Sequence, residues 1–413
     1  MDWNLIFNES AKRRHLSPLR EAASFIDRDD VLNMTGGVPN SSLFPFETAS
    51  FTLSDGSCIN FTPVEMKRAL QYNMSLGLSD FLKLLTTLVI KYHNPPNMET
   101  RDLCVINGAQ EGISKCFDLI VSEGDSVLVP KSVYTGVLSI LEVYKLNYVT
   151  FEEDENGIIP QSLSNALYRW TKESNKPAPK VLYTIPNACN PTGTSTSGDR
   201  RKEIYKIAQE YNFVIIEDDA YFFLNFEEKF EPSFLSMDTD GRVLHVDSFS
   251  KIIAPGLRLG YVCAPRDVIY RINAFVQSTI QQVSTFTQML MYKLLTTWNE
   301  KGFDNQIKRV RDFYKHQRDC TLISVEKWLN GLAEWNVPKG GMFVWIKILG
   351  IHDVDRLCKN ALTDFNVGVL SGRIFMTNAA KNPGFIRISF ATLTPQRIDE
   401  ALEKLAIAIR EEK

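Results

Sequence analysis

Four short stretches hold side chains that could do chemistry together: DSFSKIIAPGLRLGY (residues 247–261), FVIIEDDAY (213–221), NACNPTG (187–193) and GFIRISF (384–390). Lys251 offers a primary amine, which condenses with carbonyls and carries protons. Arg258 and Arg387 offer planar two-donor forks suited to phosphate or carboxylate. Glu217, Asp218 and Asp219 close one run, and strand alternation sends Asp218 to the face opposite the other two.

The surrounding pattern tells which elements must position them. DSVLVP, KVLYTIP, FVIIEDD, RVLHVDS and LGYVCAP are short apolar runs, and helical patterns such as DRRKEIYKIAQEY separate several of them. That alternation predicts an α/β fold with a mostly parallel sheet buried on both faces. Ligands of such sheets sit beyond the carboxyl ends of the strands, where EDDAY, NACNPTG and DSFSK fall. SDFLKLLTTLVIKYH reads as a helix capped by Ser79, and GAQEGISKCFDLIVSEG as a second helix ending at Gly124. Residues 1 to about 62 read as an arm that borrows its packing. After about residue 300, charged helices over 303–330, the strands GMFVWIKI and GFIRISFA and a helix from Pro395 predict a smaller α+β domain.

Composition narrows the class of partner. The chain has 413 residues, 44% hydrophobic and 23% charged, with net charge −3 and no long basic run, so neither nucleic acid nor an anionic membrane is expected. A small molecule is the default. Seven scattered cysteines read as reduced thiols, and with five dispersed histidines no metal site is expected. No run of about 18 apolar residues marks a membrane span. MDWNLIFNESAKRRHLSPLR lacks the apolar region of a secretion signal, and its acids favour the cytosol over the mitochondrion, which stays open.

A lysine, a carboxylate, an asparagine and arginines at strand ends match the needs of pyridoxal 5′-phosphate (PLP). From about Ser17 onward, SPLREA, TGGVPN, FPF, KRALQY, NPTG, IIEDDAY, SFSK-x6-R, WLNGLAEW, GGMFVWIK and FIRISF appear in order. In this the chain resembles the fold type I, class I/II PLP-dependent aminotransferases, within them the 2-aminoadipate and kynurenine aminotransferases and the fungal aromatic ones. The resemblance implies a large domain (63–307) with a seven-stranded sheet, a small α+β domain (36–62 and 308–413) and an N-terminal arm (1–35). It also implies that Lys251 holds PLP and moves the substrate proton, Asp218 faces the pyridinium nitrogen and Tyr134 stacks on the ring. Asn190 and Tyr221 would bond the phenolic oxygen. Ser248, Ser250, Arg258 and the helix start at Gly108, Ala109 and Gln110 would hold the phosphate, with Tyr72 reaching across a homodimer. Arg387 would bind the substrate carboxylate, with Asn190, Gly37, Arg20 and Phe343 around the substrate.

The implied reaction moves an amino group from an aromatic amino acid, kynurenine or 2-aminoadipate to a 2-oxo acid, 2-oxoglutarate foremost, by ping-pong kinetics. Pro130-Lys131-Ser132-Val133 before Tyr134, Ala109, and Ser371 with Arg373 in LSGRIF depart from the family pattern. These departures keep a second reaction in view, PLP-dependent β-elimination at a carbon–sulfur bond. A PLP-binding regulatory domain lacks a helix-turn-helix before residue 60, and a nucleotide-binding enzyme lacks its glycine loop. Cys189 reads as a small apolar filler.

Overall fold

The aliphatic runs form strands of a seven-stranded, mostly parallel sheet in the computed structural model, which describes residues 1–18, 34, 37–378 and 384–412. Its strands are β1 (Arg101–Ile106), β2 (Ser126–Pro130), β3 (Asn147–Phe151), β4 (Val181–Thr184), β5 (Val214–Asp218), β6 (Val243–Ser248) and β7 (Gly260–Pro265). β2, β4, β5 and β6 are buried along their whole length, as expected of strands covered on both faces. β1 and β3, the outermost strands, were not among the runs picked from sequence. The chain divides into two compact units, each built from two separate stretches: Met1–Ile120 with Asp238–Asn305, and Val121–Met237 with Gln306–Lys413.

In the first unit the strand order is β1-β7-β6, and β7 runs antiparallel to both neighbours. A parallel return needs a crossover of a dozen or more residues, usually helical. The link from β6 to β7, residues 249–259, is shorter and has no α-helix, so the strand turns back. Lys251 lies in this link. Helix α1 (Ser79–His93) begins one residue off expectation. Leu78 is its N-cap, with no side-chain cap, and its amide is taken instead by Gln288 Oε1 at 2.7 Å. Helix α2 (Ala109–Ile120) stops short of Gly124, because Asp125 Oδ2 accepts from the Ser122 amide (2.9 Å) and folds the chain into a turn. The N-terminal segment does borrow its packing: Trp3, Ile6, Phe7 and Ala11 are buried, and Asn8 bonds the carbonyls of Asp118 and Leu119 near the end of α2. The histidines, dispersed in sequence, are less so in space, since the buried rings of His93 and His245 meet at 4.5 Å between centroids.

In the second unit the order is β5-β4-β2-β3, with parallel pairings. Helix α3 (Gly198–Glu210) lies between β4 and β5 in sequence. A separate antiparallel sheet contains β8 (Ala333–Trp335), β9 (Phe343–Ile348), β10 (Leu370–Ser371) and β11 (Phe385–Ser389) in the order β8-β9-β11-β10. One face of it, Val344, Ile346, Ile386 and Ile388, packs with Leu329, Leu357, Leu402 and Ile409 from helices. Burying each such side chain contributes about 1.5–3 kcal/mol. Alternation along β11 then turns Arg387 to the opposite face, across from Trp345 on β9.

Candidate cofactor and substrate sites

The first unit gathers donors around the β6–β7 link. Ser248 Oγ lies 2.8 Å from Ser250 Oγ and also accepts from the Ser250 amide (3.1 Å), which fixes the turn just before the half-buried Lys251. The Phe249 amide donates to Leu259 O at 3.1 Å and closes the link on itself. Arg258 takes a left-handed backbone (φ 49°), and its guanidinium donates to Pro255 O (3.1 Å) and Asn107 O (3.3 Å). Gly108, between Asn107 and the first residue of α2, also has positive φ (83°), and a Cβ there would stand 2.4 Å from Arg258 Nη2. Only glycine meets both conditions.

Hydroxyls, a guanidinium and the amides opening α2 make a donor set. Two acids stand nearby and both are engaged: Asp247 by Tyr261 OH (3.1 Å) and the Ser248 amide (2.6 Å), and Glu111, in the first turn of α2, by the Asn107 amide (2.5 Å) and Lys115 (3.2 Å). Helix openings favour anions, so this set fits the phosphate of PLP. Ala109 and Gln110 stand half-buried in the first turn of α2. Tyr72 lies on the same unit. It is 55% exposed and lines a groove of about 400 Å³ with Pro39, Phe44, Gln282 and Phe286. Gly37 is exposed with open space around it, and Arg20 lies outside the described residues.

The second unit gathers a different set. Asp218 ends β5, is buried, and accepts from Tyr183 OH at 2.7 Å. Its neighbours do other work. Glu217 accepts from the Phe234 and Leu235 amides (2.7 and 3.1 Å), and Asp219 from Asn187 Nδ2 (2.6 Å). Burial, and then the Asp218 charge beside it, push the Tyr183 phenol well up, so it stays a hydrogen-bond donor to that carboxylate. The chemistry of the group fits a pyridinium partner, a buried carboxyl group held by the Tyr183 phenol.

Asn190 is buried and gives its Oδ1 to Arg387 Nη1 at 2.6 Å, which leaves the amide nitrogen as the donor for a further partner. The Arg387 guanidinium lies 4.1 Å from the ring centroid of Phe343 and 4.8 Å from that of Phe375. Burial pulls Arg387 below its ordinary value, with Tyr221 and Tyr134 pulling the other way, and it remains a cation. Tyr221 packs edge-on to Phe343 at 6.4 Å, its phenol pushed up by burial and by Asp218. Burial also pushes the Cys189 thiol up, so it is no thiolate, in keeping with a filler role.

Two segments that depart from the family pattern turn out to be joined. The Val133 amide donates to Phe375 O (2.7 Å), the Thr377 amide to Lys131 O (3.2 Å), and Ser132 bridges Met376. The loop leading to Tyr134 is therefore fastened to the segment that carries the Phe375 wall of Arg387. Arg373, unreadable from sequence, pairs with Asp355 (3.0 Å), which also accepts from Ser371 Oγ. Sequence reasoning missed Tyr183 and Phe375. Tyr183 had a local signal, a single phenol in the buried run VLYT, whereas Phe375 acquires its role only through contacts with remote segments.

Comparison with known proteins gives a consistent picture. The family model described as aminotransferase class I and II matches residues 60–405. The mitochondrial kynurenine/alpha-aminoadipate aminotransferase of Rattus norvegicus is 40% identical over 423 residues, covering 100% of each chain. A crystal structure of an aminotransferase from Candida albicans is similar with a TM-score of 0.90 and 28% identity, covering 100% of this chain and 98% of that one. The Pyrococcus horikoshii kynurenine aminotransferase, crystallised with PMP, is similar with a TM-score of 0.80 and 27% identity, covering 100% of this chain and 98% of that one.

Proposed function

The chain belongs to the aminotransferase class I and II family and is a PLP-dependent aminotransferase, and from that premise we propose its donors, acceptor and residue roles. The donor is an aromatic amino acid, kynurenine or 2-aminoadipate, and the acceptor a 2-oxo acid, 2-oxoglutarate foremost. The observation that carries this is Arg387, held by Asn190 and between two phenyl rings, a fixed two-donor fork for an α-carboxylate beside an aromatic wall.

PLP, when bound, supplies a carbonyl that exchanges the amino group and a ring that spreads carbanion charge. The residues do the rest. Arg387 orients the substrate by its carboxylate, with Phe343 beside it. Lys251 takes the proton from the substrate Cα and returns it at the cofactor's C4′. Asp218, steadied by Tyr183, keeps the ring nitrogen protonated. Asn190 and Tyr221 bond the phenolic oxygen, and Tyr134 stacks on the ring. Ser248, Ser250, Arg258, Gly108, Ala109 and Gln110 hold the phosphate.

Arg373 is engaged by Asp355, which removes one motive for a carbon–sulfur lyase reading. A single-turnover titration of PLP-loaded protein against a panel of amino acids, with mass analysis of products, decides. A 2-oxo acid and the pyridoxamine form support transamination with ping-pong kinetics; pyruvate and ammonia would replace it with the lyase.

The proposal extends to a homodimer in which Tyr72 reaches the partner's phosphate site. The exposed Tyr72, Leu43, Phe46 and Val64 of the first unit support it. It includes the domain division 1–35, 36–62 with 308–413, and 63–307. No described helix is long and apolar enough to cross a membrane. The proposed compartment is the cytosol, tested by cell fractionation against the mitochondrion that the rat relative's name carries.

A further inference from the structure

Arg201, on α3, is among the largest fully buried side chains of the described residues. Withdrawing a guanidinium from water costs several kcal/mol unless its donors are satisfied. Here they are spent almost wholly on backbone carbonyls. Nε donates to Thr196 O (2.8 Å), Nη1 to Pro232 O (3.1 Å), and Nη2 to Pro186 O (3.0 Å) and Asn187 Oδ1 (2.8 Å). Pro186 and Thr196 are the two ends of one loop, joined by Thr196 N to Pro186 O at 2.9 Å.

The loop between them is stitched inside as well. Cys189 N donates to Thr194 O (2.7 Å), Gly193 N to Cys189 O (2.6 Å) and Ala188 N to Ser195 Oγ (2.9 Å). Asn190, which meets Arg387, therefore sits on a small rigid frame with Arg201 at its neck. Asn187 is gripped twice, its Oδ1 by Arg201 and its Nδ2 by Asp219, the residue next to Asp218. Pro232 leads into the segment whose amides Glu217 holds. A buried cation with this many carbonyl partners on one neck sets a position as well as filling space.

We propose that Arg201 is a positioning residue for transamination: it fixes the neck of the Asn190 loop and thereby sets where Asn190 presents its amide to the cofactor and its carbonyl to Arg387. The inference rests on the role given to Asn190 above. It names a residue that touches neither substrate nor cofactor.

The test compares Arg201→Lys, Asn187→Ala and Asn190→Ala in PLP-loaded protein. Three readouts are taken: amide hydrogen exchange of peptides covering 186–196, donor KM against kcat, and the pH midpoint of the bound cofactor's absorbance. Arg201→Lys and Asn187→Ala are expected to speed exchange in 186–196 and leave β5 peptides as they were. They should also raise donor KM about tenfold, the factor that 1.4 kcal/mol makes, and move the midpoint in the direction that Asn190→Ala moves it. Unchanged exchange in 186–196 overturns the clamp. So does faster exchange with KM and midpoint at wild-type values while Asn190→Ala shifts both. If Asn190→Ala shifts neither, the role of Asn190 itself is wrong and the clamp's purpose falls with it. Should Arg201→Lys not fold, Asn187→Ala, which keeps the Arg201 guanidinium and its three backbone carbonyl acceptors, carries the comparison.

Discussion

Arg387 shows how a single side chain can be made ready before any ligand arrives. Its fork is aimed by the hydrogen bond it donates to Asn190 Oδ1 and by two phenyl faces, so the entropy of ordering a long side chain is already spent. Phe375→Leu keeps the volume nearly apolar and removes one cation–π contact worth about 0.5–2 kcal/mol. Donor KM should rise between about twofold and thirtyfold with kcat nearly constant; a fall in kcat at constant KM would assign Phe375 to the chemical step. Lys251→Ala should lose the cofactor's covalent absorbance and turnover, and full activity would refute its role. Tyr183→Phe should cost less than Asp218→Asn in PLP affinity, measured by equilibrium dialysis, since it removes one donor and leaves the charge. Glu153 is pushed up to about 8, first by burial and then by Asp154. The folded chain thus holds this proton more tightly than the unfolded one does, and the resulting stability is complete below about pH 4.5 and lost as pH rises toward 8. Glu153→Gln, neutral throughout, should shrink the difference in melting temperature between pH 5 and pH 8.5; an unaltered difference would place the titration elsewhere.

Elements explain which parts of this were legible beforehand. The central strands announce themselves because burial on both faces makes them continuous apolar runs, and their carboxyl ends carry Asp218, Ser248 and the residues just beyond. RDLCVI and NYVTF did not stand out because each mixes polar positions with apolar ones, as outer strands do. Ser79 is not the cap because the helix already includes it, with Leu78 at the N-cap, and Gly124 is not the helix end because Asp125 takes the Ser122 amide and turns the chain first. Asn190 and Arg387 were each visible, but their bond was not, since 197 positions separate them. At the start of α2, Gly108→Ala should weaken PLP binding at least tenfold, because the new Cβ would displace the Arg258 guanidinium and strain a positive φ. Retained affinity would mean that Arg258 can retreat without loss. The buried pair Arg101–Asp238 ties β1 to the turn before β6, where Asp238 also caps the amides of Gly241, Arg242 and Val243. Asp238→Asn, which leaves a guanidinium buried without its partner, should cost about 3–5 kcal/mol in chemical denaturation.

At the scale of the whole molecule, the proposed dimer makes a prediction no single chain can satisfy. If Tyr72 serves its partner's site, mixing a Tyr72→Ala chain with a Lys251→Ala chain through unfolding and refolding should restore up to about a quarter of wild-type activity, because half the dimers are mixed and each holds one intact site. No recovery would make each site the product of its own chain. The first unit closes only when its second stretch is present, since Ile106 on β1 pairs with Gly260 on β7, and Trp3 bonds Gly241. A ribosome adding about 5–20 residues per second needs on the order of 8–30 s to make the stretch between those two strands. Throughout that interval the nascent RDLCVI segment has no strand to pair with, so the growing chain is an aggregation-prone client for holding chaperones until its two hundred and sixtieth residue has emerged.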